Sequence, residues 1–136
     1  MNKKIFWFLL GVILVASFLS AGQEAPPRET EDDLIHKARA MLDALHRNDF
    51  EAAVSNFDTA MMNVFGPDKL AEFWNEVPDK MGVLKRQTAA RRDKLGPYDI
   101  VLVTCEFEKV TLDARVVFDK AGKIAGFQFV PSLRPR

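Results

Sequence analysis

The chain holds one cysteine, Cys105, two histidines, His36 and His46, and 19 acidic side chains, the groups that could serve as nucleophile, base or metal ligand. Cys105 sits in "DIVLVTCEFEKVTLDARVVFDKAGKIAGF", where apolar and polar residues alternate. Along that run Val101, Val103, Cys105 and Phe107 share one parity, and Ile100, Leu102, Thr104, Glu106 and Glu108 share the other. A reactive thiol needs an electropositive, partly open setting, and no His, Lys or Arg shares the face of Cys105. The pattern predicts a buried thiol that packs as a small hydrophobe. A lone cysteine also forms no internal disulfide.

The other candidates are read the same way. His36 and His46 lie on one predicted helix but not at the i, i+4 spacing of a zinc helix, and the carboxylates lack calcium-loop spacing. No metal and no cofactor is expected. Glu106 and Glu108, with Asp113 and Arg115 opposite them and Lys109 between, are expected to form cross-strand ion pairs on an open sheet face rather than an acid–base pair. There is no G-x-S-x-G, and Ser17, Ser20, Ser55 and Ser132 have no histidine near them in sequence. No catalytic residue is assigned, and an enzyme is not the expectation.

Lys and Arg balance Asp and Glu at 19 each, so there is no overall charge to draw the chain to nucleic acid. The basic run "KRQTAARRDK", Lys85 to Lys94, lacks the interleaved aromatics of a single-strand binder and fits a charged edge strand, with contact to an anionic envelope surface as the alternative.

These residues must be positioned by an ordered set of elements. Residues 1–22 have the layout of a secretory signal peptide: Lys3 and Lys4, an apolar run from Ile5 to Leu19, and a small-residue exit at Ser20-Ala21-Gly22. Cleavage would place the body outside the cytoplasm, secreted, periplasmic or in the envelope; retention would leave an N-terminal membrane anchor, the only membrane contact expected. Residues 23–30 read as a linker, 31–131 as a single domain and 132–136 as a basic tail.

Thr30 and Asp33 resemble a capping box before a helix with Leu34, Ile35, Ala38, Met41, Leu42 and Leu45 on one stripe. "RND" breaks it, and Asp49 can cap a second helix carrying Phe50, Ala53, Val54 and Phe57. After Gly66-Pro67-Asp68 a third helix, "KLAEFWNEV", is expected to stop near Pro78. From Gly82 the period falls to two. Strands are predicted over Val83–Arg91, Tyr98–Glu108, Val110–Phe118 and Lys123–Phe129, with turns at Gly96-Pro97 and Ala121-Gly122.

Helices followed by a meander predict an α+β domain, with N-terminal helices packed on a curved four-stranded antiparallel sheet. Two binding readings remain open, beside that of a purely structural or stress-related envelope protein with no ligand. One is a non-catalytic binding or interaction module that uses the outer sheet face, where Ile100, Leu102 and Val117 are apolar, to meet a second copy or an envelope protein. The other is a carrier or enzyme for a small apolar ligand held in a cavity lined by Phe57, Met61, Trp74, Tyr98, Phe107 and Phe118. Gln128 is a further polar group for such a lining. Exposure of Phe127 or Phe129 would extend the outer patch, and Gly126 marks a bulge that leaves the parity of the last strand open.

The segments "ALHRNDFEAAVSNFDTAMM", "KLAEFWNEV", "MGVLK" and "VTCEFEKVTLDARVVFDKAGKIAGF" resemble domain of unknown function 3887. The likeness rests on "NDFE", Leu70 to Trp74, Gly82, Cys105-x-Phe107-Glu108 and "GKIAGF", which are packing and turn residues. It implies a nuclear-transport-factor-like, cystatin-like cone, usually extracytoplasmic, standing alone or ahead of a secreted α/β-hydrolase domain; none is expected after "FVPSLRPR". Related cones carry an Asp or His base in their cavity. No acidic residue is expected on the inner strand faces here, so the resemblance does not bring that chemistry with it.

Overall fold

A computed structural model describes residues 31–132. The signal segment, the linker, the Thr30 cap and the final residues of the basic tail lie outside the described residues. Four helices precede four strands: α1 (Glu31–His46), α2 (Phe50–Ala53), α3 (Thr59–Val64), α4 (Pro67–Met81), β1 (Leu84–Leu95), β2 (Tyr98–Phe107), β3 (Thr111–Phe118) and β4 (Ile124–Pro131). The strands form one antiparallel sheet in the order β1-β2-β3-β4. The molecule is α+β, with the helices before the sheet in sequence and packed on one side of it.

The stripe on α1 is buried as its period requires: Leu34, Ala38, Met41, Leu42 and Leu45 all join the core. Asn48, with φ 58°, ends the helix in a left-handed turn. The Asp49 amide donates to the Ala44 carbonyl and the Asn48 amide to Leu45, which satisfies two orphan carbonyls of the last turn. Asp49 then caps α2, its carboxylate accepting from the Ala52 amide at 3.2 Å.

The second predicted helix is shorter than its apolar pattern suggests. Phe57 leaves it and bridges Ile124 in parallel: the Asp58 amide donates to the Ile124 carbonyl, and the Ile124 amide to Asn56. Backbone groups that would have extended α2 are spent on β4. Asp58 then starts α3 by accepting from the Met61 amide at 2.7 Å. The third predicted helix, now α4, runs through Pro78 instead of stopping there. Only one intrahelical donor is lost this near the end, and the Gly82 amide still closes the last turn on the Pro78 carbonyl.

Gly82, at φ 80° and ψ −178°, turns the chain from α4 into β1 in backbone space that favours glycine. The joint is closed by the Glu108 amide on the Val83 carbonyl and the Lys109 amide on Met81.

β1 is longer than predicted and departs twice from regular pairing. Arg86 pairs with Glu106 and Gln87 with Cys105, but the next partner pair is Ala90 and Val103. Thr88 and Ala89 together oppose one residue of β2, a bulge that shifts the parity of everything after it. In consequence Ala90 and Arg92 lie on the helix side, and Arg91 and Asp93 on the other.

The helix side of the sheet carries Val101, Val103, Cys105, Phe107, Ala114, Val116 and Phe118 into the core. Phe127 and Phe129 pack half-buried against that core as well, which settles the parity left open for the last strand and keeps them out of the outer patch. The irregularity between Val117 and Phe118 opposite Gly126 and Ile124 sets their parity. Among the described residues no helix is long and apolar enough to cross a membrane.

Candidate functional site

Cys105 is the first residue to place. It is 0% exposed, and burial pushes its thiol from an ordinary 9.0 up to about 12. Its Sγ donates weakly to the Val103 carbonyl at 3.5 Å. A thiol held neutral and sealed in the core is not a nucleophile. His36 and His46 both stand on α1, and among the described residues no group of three or more His, Cys, Asp or Glu side chains could hold a metal ion.

Of the residues named for an interior cavity, Phe57, Trp74, Phe107 and Phe118 are buried in the core cluster and Met61 packs half-buried against it. Phe129 stands among them, in ring contact with Trp74 at 6.4 Å, Phe107 at 5.3 Å and Phe73 at 6.2 Å between centroids. Tyr98 lies elsewhere, 41% exposed at the start of β2. Gln128 projects from the opposite register face of β4, paired with Arg115.

The outer face of the sheet is where polar chemistry collects. The register sets Ile100 beside Val117, Leu102 beside Arg115, and Thr104 beside Asp113. Asp113 is 0% exposed although it points away from the helices. Its Oδ1 accepts from Thr104 Oγ1 at 2.9 Å, and its Oδ2 from Arg91 Nη2 at 2.9 Å. The second pairing spans two strands, since β2 lies between β1 and β3. Arg91 reaches Asp113 only because the bulge has turned it to this face. The cross-strand ion pairing expected of Glu106 and Glu108 beside Lys109 and Arg115 is corrected in its partners: Glu106 meets Arg86, Arg91 takes Asp113, and Arg115 is left over.

The neighbouring acids are likewise committed. Glu106 pairs with Arg86, and Glu108 Oε1 accepts from the Val83 amide at 2.8 Å. Asp99, whose parity is that of the helix side, pairs at the sheet's far end with Arg92 at 3.0 Å and Lys94 at 3.7 Å. It corrects the expectation that no acid shares that parity, and both pairings hold it to the cations of the edge strand.

Two depressions open beside this network. The larger, about 570 Å³, runs over Ile100, Leu102 and Val130, with Arg91, Asp113 and Arg115 at its side. The smaller, about 330 Å³, lies where α3 meets β4, between Met61, Val64 and Phe65 and the strand residues Val117 and Phe127. Arg115 and Gln128 border both. Arg91 Nη1 is buried without a partner among the described residues, so the network can accept one more hydrogen-bond acceptor. Ile100, Leu102 and Val117 were visible in the sequence as an outer apolar set. The Arg91–Asp113–Thr104 network was not, because it depends on a bulge and on contact across an intervening strand.

The acid at the centre of this arrangement accepts two hydrogen bonds, and a second carboxylate, Asp93, also borders the larger depression.

Comparison with known proteins gives a family and a fold. A model of the family described as "Protein of unknown function (DUF3887)" matches residues 38–127. No curated protein matches the chain. Among solved structures, the NMR structure of a protein from Ruminococcus gnavus ATCC 29149 is similar with a TM-score of 0.58 at 14% identity, over 78% of this chain and 96% of that one. At that identity the likeness is one of fold alone.

Proposed function

The chain belongs to the DUF3887 family, and from that membership and the geometry above we propose that it is an exported, non-catalytic binding module whose working surface is the outer face of the sheet. One observation carries the reading. A sheet face turned away from its helices ordinarily meets water and is polar, yet here Ile100 is 3% exposed and Asp113 is sealed, both beside a groove of about 570 Å³. Concave, partly apolar surface with a few convergent polar groups is the usual form of a binding site. The ring packing of Phe129 against Trp74 and Phe107 favours this face over the interior. In this reading the fold is a cystatin-like cone, delivered through the membrane by residues 1–22 acting as a signal peptide.

Native mass spectrometry of the chain purified from its own host tests the assignment. The expected result is a retained mass, either a small molecule or a second copy, that is lost in Leu102→Asp with little change in melting temperature. A retained mass that survives Leu102→Asp refutes it, as does a bare monomer at every concentration.

A further inference from the structure

Arg115 and Gln128 face each other across β3 and β4 on the outer face, and they stand at the seam between the two depressions. The other arginines of that face are committed, Arg86 to Glu106 and Arg91 to Asp113. The carboxylate nearest in register, Asp113, has both oxygens occupied by Thr104 and Arg91. Among the described residues Arg115 is thus a guanidinium with no counter-charge, beside an amide that is also unengaged.

From this seam the smaller depression runs along an apolar course. Met61 and Val64 of α3 and Phe65 just after it line one side, and Val117, Gly126 and Phe127 of the sheet line the other. Val64 is an exposed large apolar side chain with no core role. Gly126 adds no side chain to the sheet side; a Cβ there would meet only Val117, at an ordinary contact of 3.4 Å.

We propose that this seam and trough form a binding site for an alkyl carboxylate, with the carboxylate held by Arg115 and Gln128 and the hydrocarbon laid over Gly126. A guanidinium matches a carboxylate in a two-pronged hydrogen bond, and the glutamine amide supplies a further donor. One uncommitted cation balances a monoanion; a phosphate dianion would need a second, and the arginines nearby are already paired. The apolar walls provide the burial that a hydrocarbon tail requires. The proposal rests on the outer-face reading and names the ligand class for it.

Isothermal titration of the full chain with decanoate, decanol and acetate tests it. Decanoate is expected to saturate a single site, with decanol and acetate at least about tenfold weaker, a difference of roughly 1.4 kcal/mol. Arg115→Gln should weaken decanoate by about tenfold or more and leave decanol unchanged. Gly126→Val should weaken both by filling the trough, and Arg86→Gln should alter neither. Thermal melts of each variant establish that it is folded. Equal affinity for decanoate and decanol overturns the proposal, as does decanoate binding untouched by Arg115→Gln or the absence of saturable binding. If decanoate fails while the native spectrum still loses a partner in Leu102→Asp, the ligand class is wrong and the outer-face reading stands. If both fail, both are wrong.

Discussion

Removing the Asp113 carboxylate should expose how much the outer face depends on its ionic network. In Asp113→Ala the Thr104 hydroxyl loses its acceptor, and Arg91 loses its ion pair. A buried hydroxyl left unsatisfied costs about 1–3 kcal/mol, and a hydrogen bond to a charged group contributes roughly 1.5–3 kcal/mol. The Arg91 side chain is 31% exposed, so water can compensate part of its loss. That places the penalty below the roughly 3–5 kcal/mol of breaking a fully buried pair. A net destabilisation of about 3 kcal/mol is expected. With a urea slope of about 1–3 kcal/mol per molar, the unfolding midpoint followed by circular dichroism should fall by roughly 1–3 M. The double variant Asp113→Leu with Arg91→Leu should recover part of the loss, because no charge is then stranded, giving a coupling of about 1–3 kcal/mol in the mutant cycle. A midpoint shift worth less than about 0.5 kcal/mol, or single-site effects that simply add, would show that Asp113 and Arg91 are not an energetic unit.

Cys105→Ser should destabilise the fold by about 1–3 kcal/mol by placing a hydroxyl in the core, with Cys105→Ala milder; equal melting temperatures for wild type and both variants would contradict the buried thiol. Because the folded thiol titrates at about 12 instead of 9.0, the native state keeps a proton that the unfolded chain gives up. Stability should therefore be flat in pH below about 9 and fall by about 1.4 kcal/mol per unit as pH rises from 9 toward 12. Urea titrations at stepped alkaline pH should show that slope in wild type and lack it in Cys105→Ala. Gly82→Ala should cost about 1–3 kcal/mol in backbone strain alone, and its Cβ would sit 2.5 Å from that of Glu108. A calorimetric melt unchanged by this substitution would mean that the joint between α4 and β1 has a different shape.

What the sequence revealed follows from the range of the forces involved. Amphipathic periods are local, so α1 and the inward parity of β2 and β3 could be read directly: Leu34 to Leu45, and Val101 to Phe107, are buried as their spacing demands. Asp49 as a helix cap was equally local. The end of α2 was hidden because the competitor for its backbone groups, Ile124, lies far along the chain. β1 was under-read because an edge strand of charged residues has little alternation to show; its ladder with β2 extends it to Leu95. Pro78 misled because a proline rule written for helix interiors applies weakly a few residues from the end. At the outer face Ile100, Leu102 and Val117 were legible by parity. The partner of Asp113 was not, since it lies on the edge strand two positions away in the sheet.

The two-for-one step at Thr88 and Ala89 acts as a sorting device for charge. Deleting either residue would leave the composition of β1 almost untouched, yet it would swing Arg91 into the oily side and present Arg92 and Lys94 to the opposite surface. Two relatives with matching basic residues here but unequal spacing before them would therefore display inverted surfaces. An alignment that slides a gap through this stretch by one place would pair residues that never share an environment.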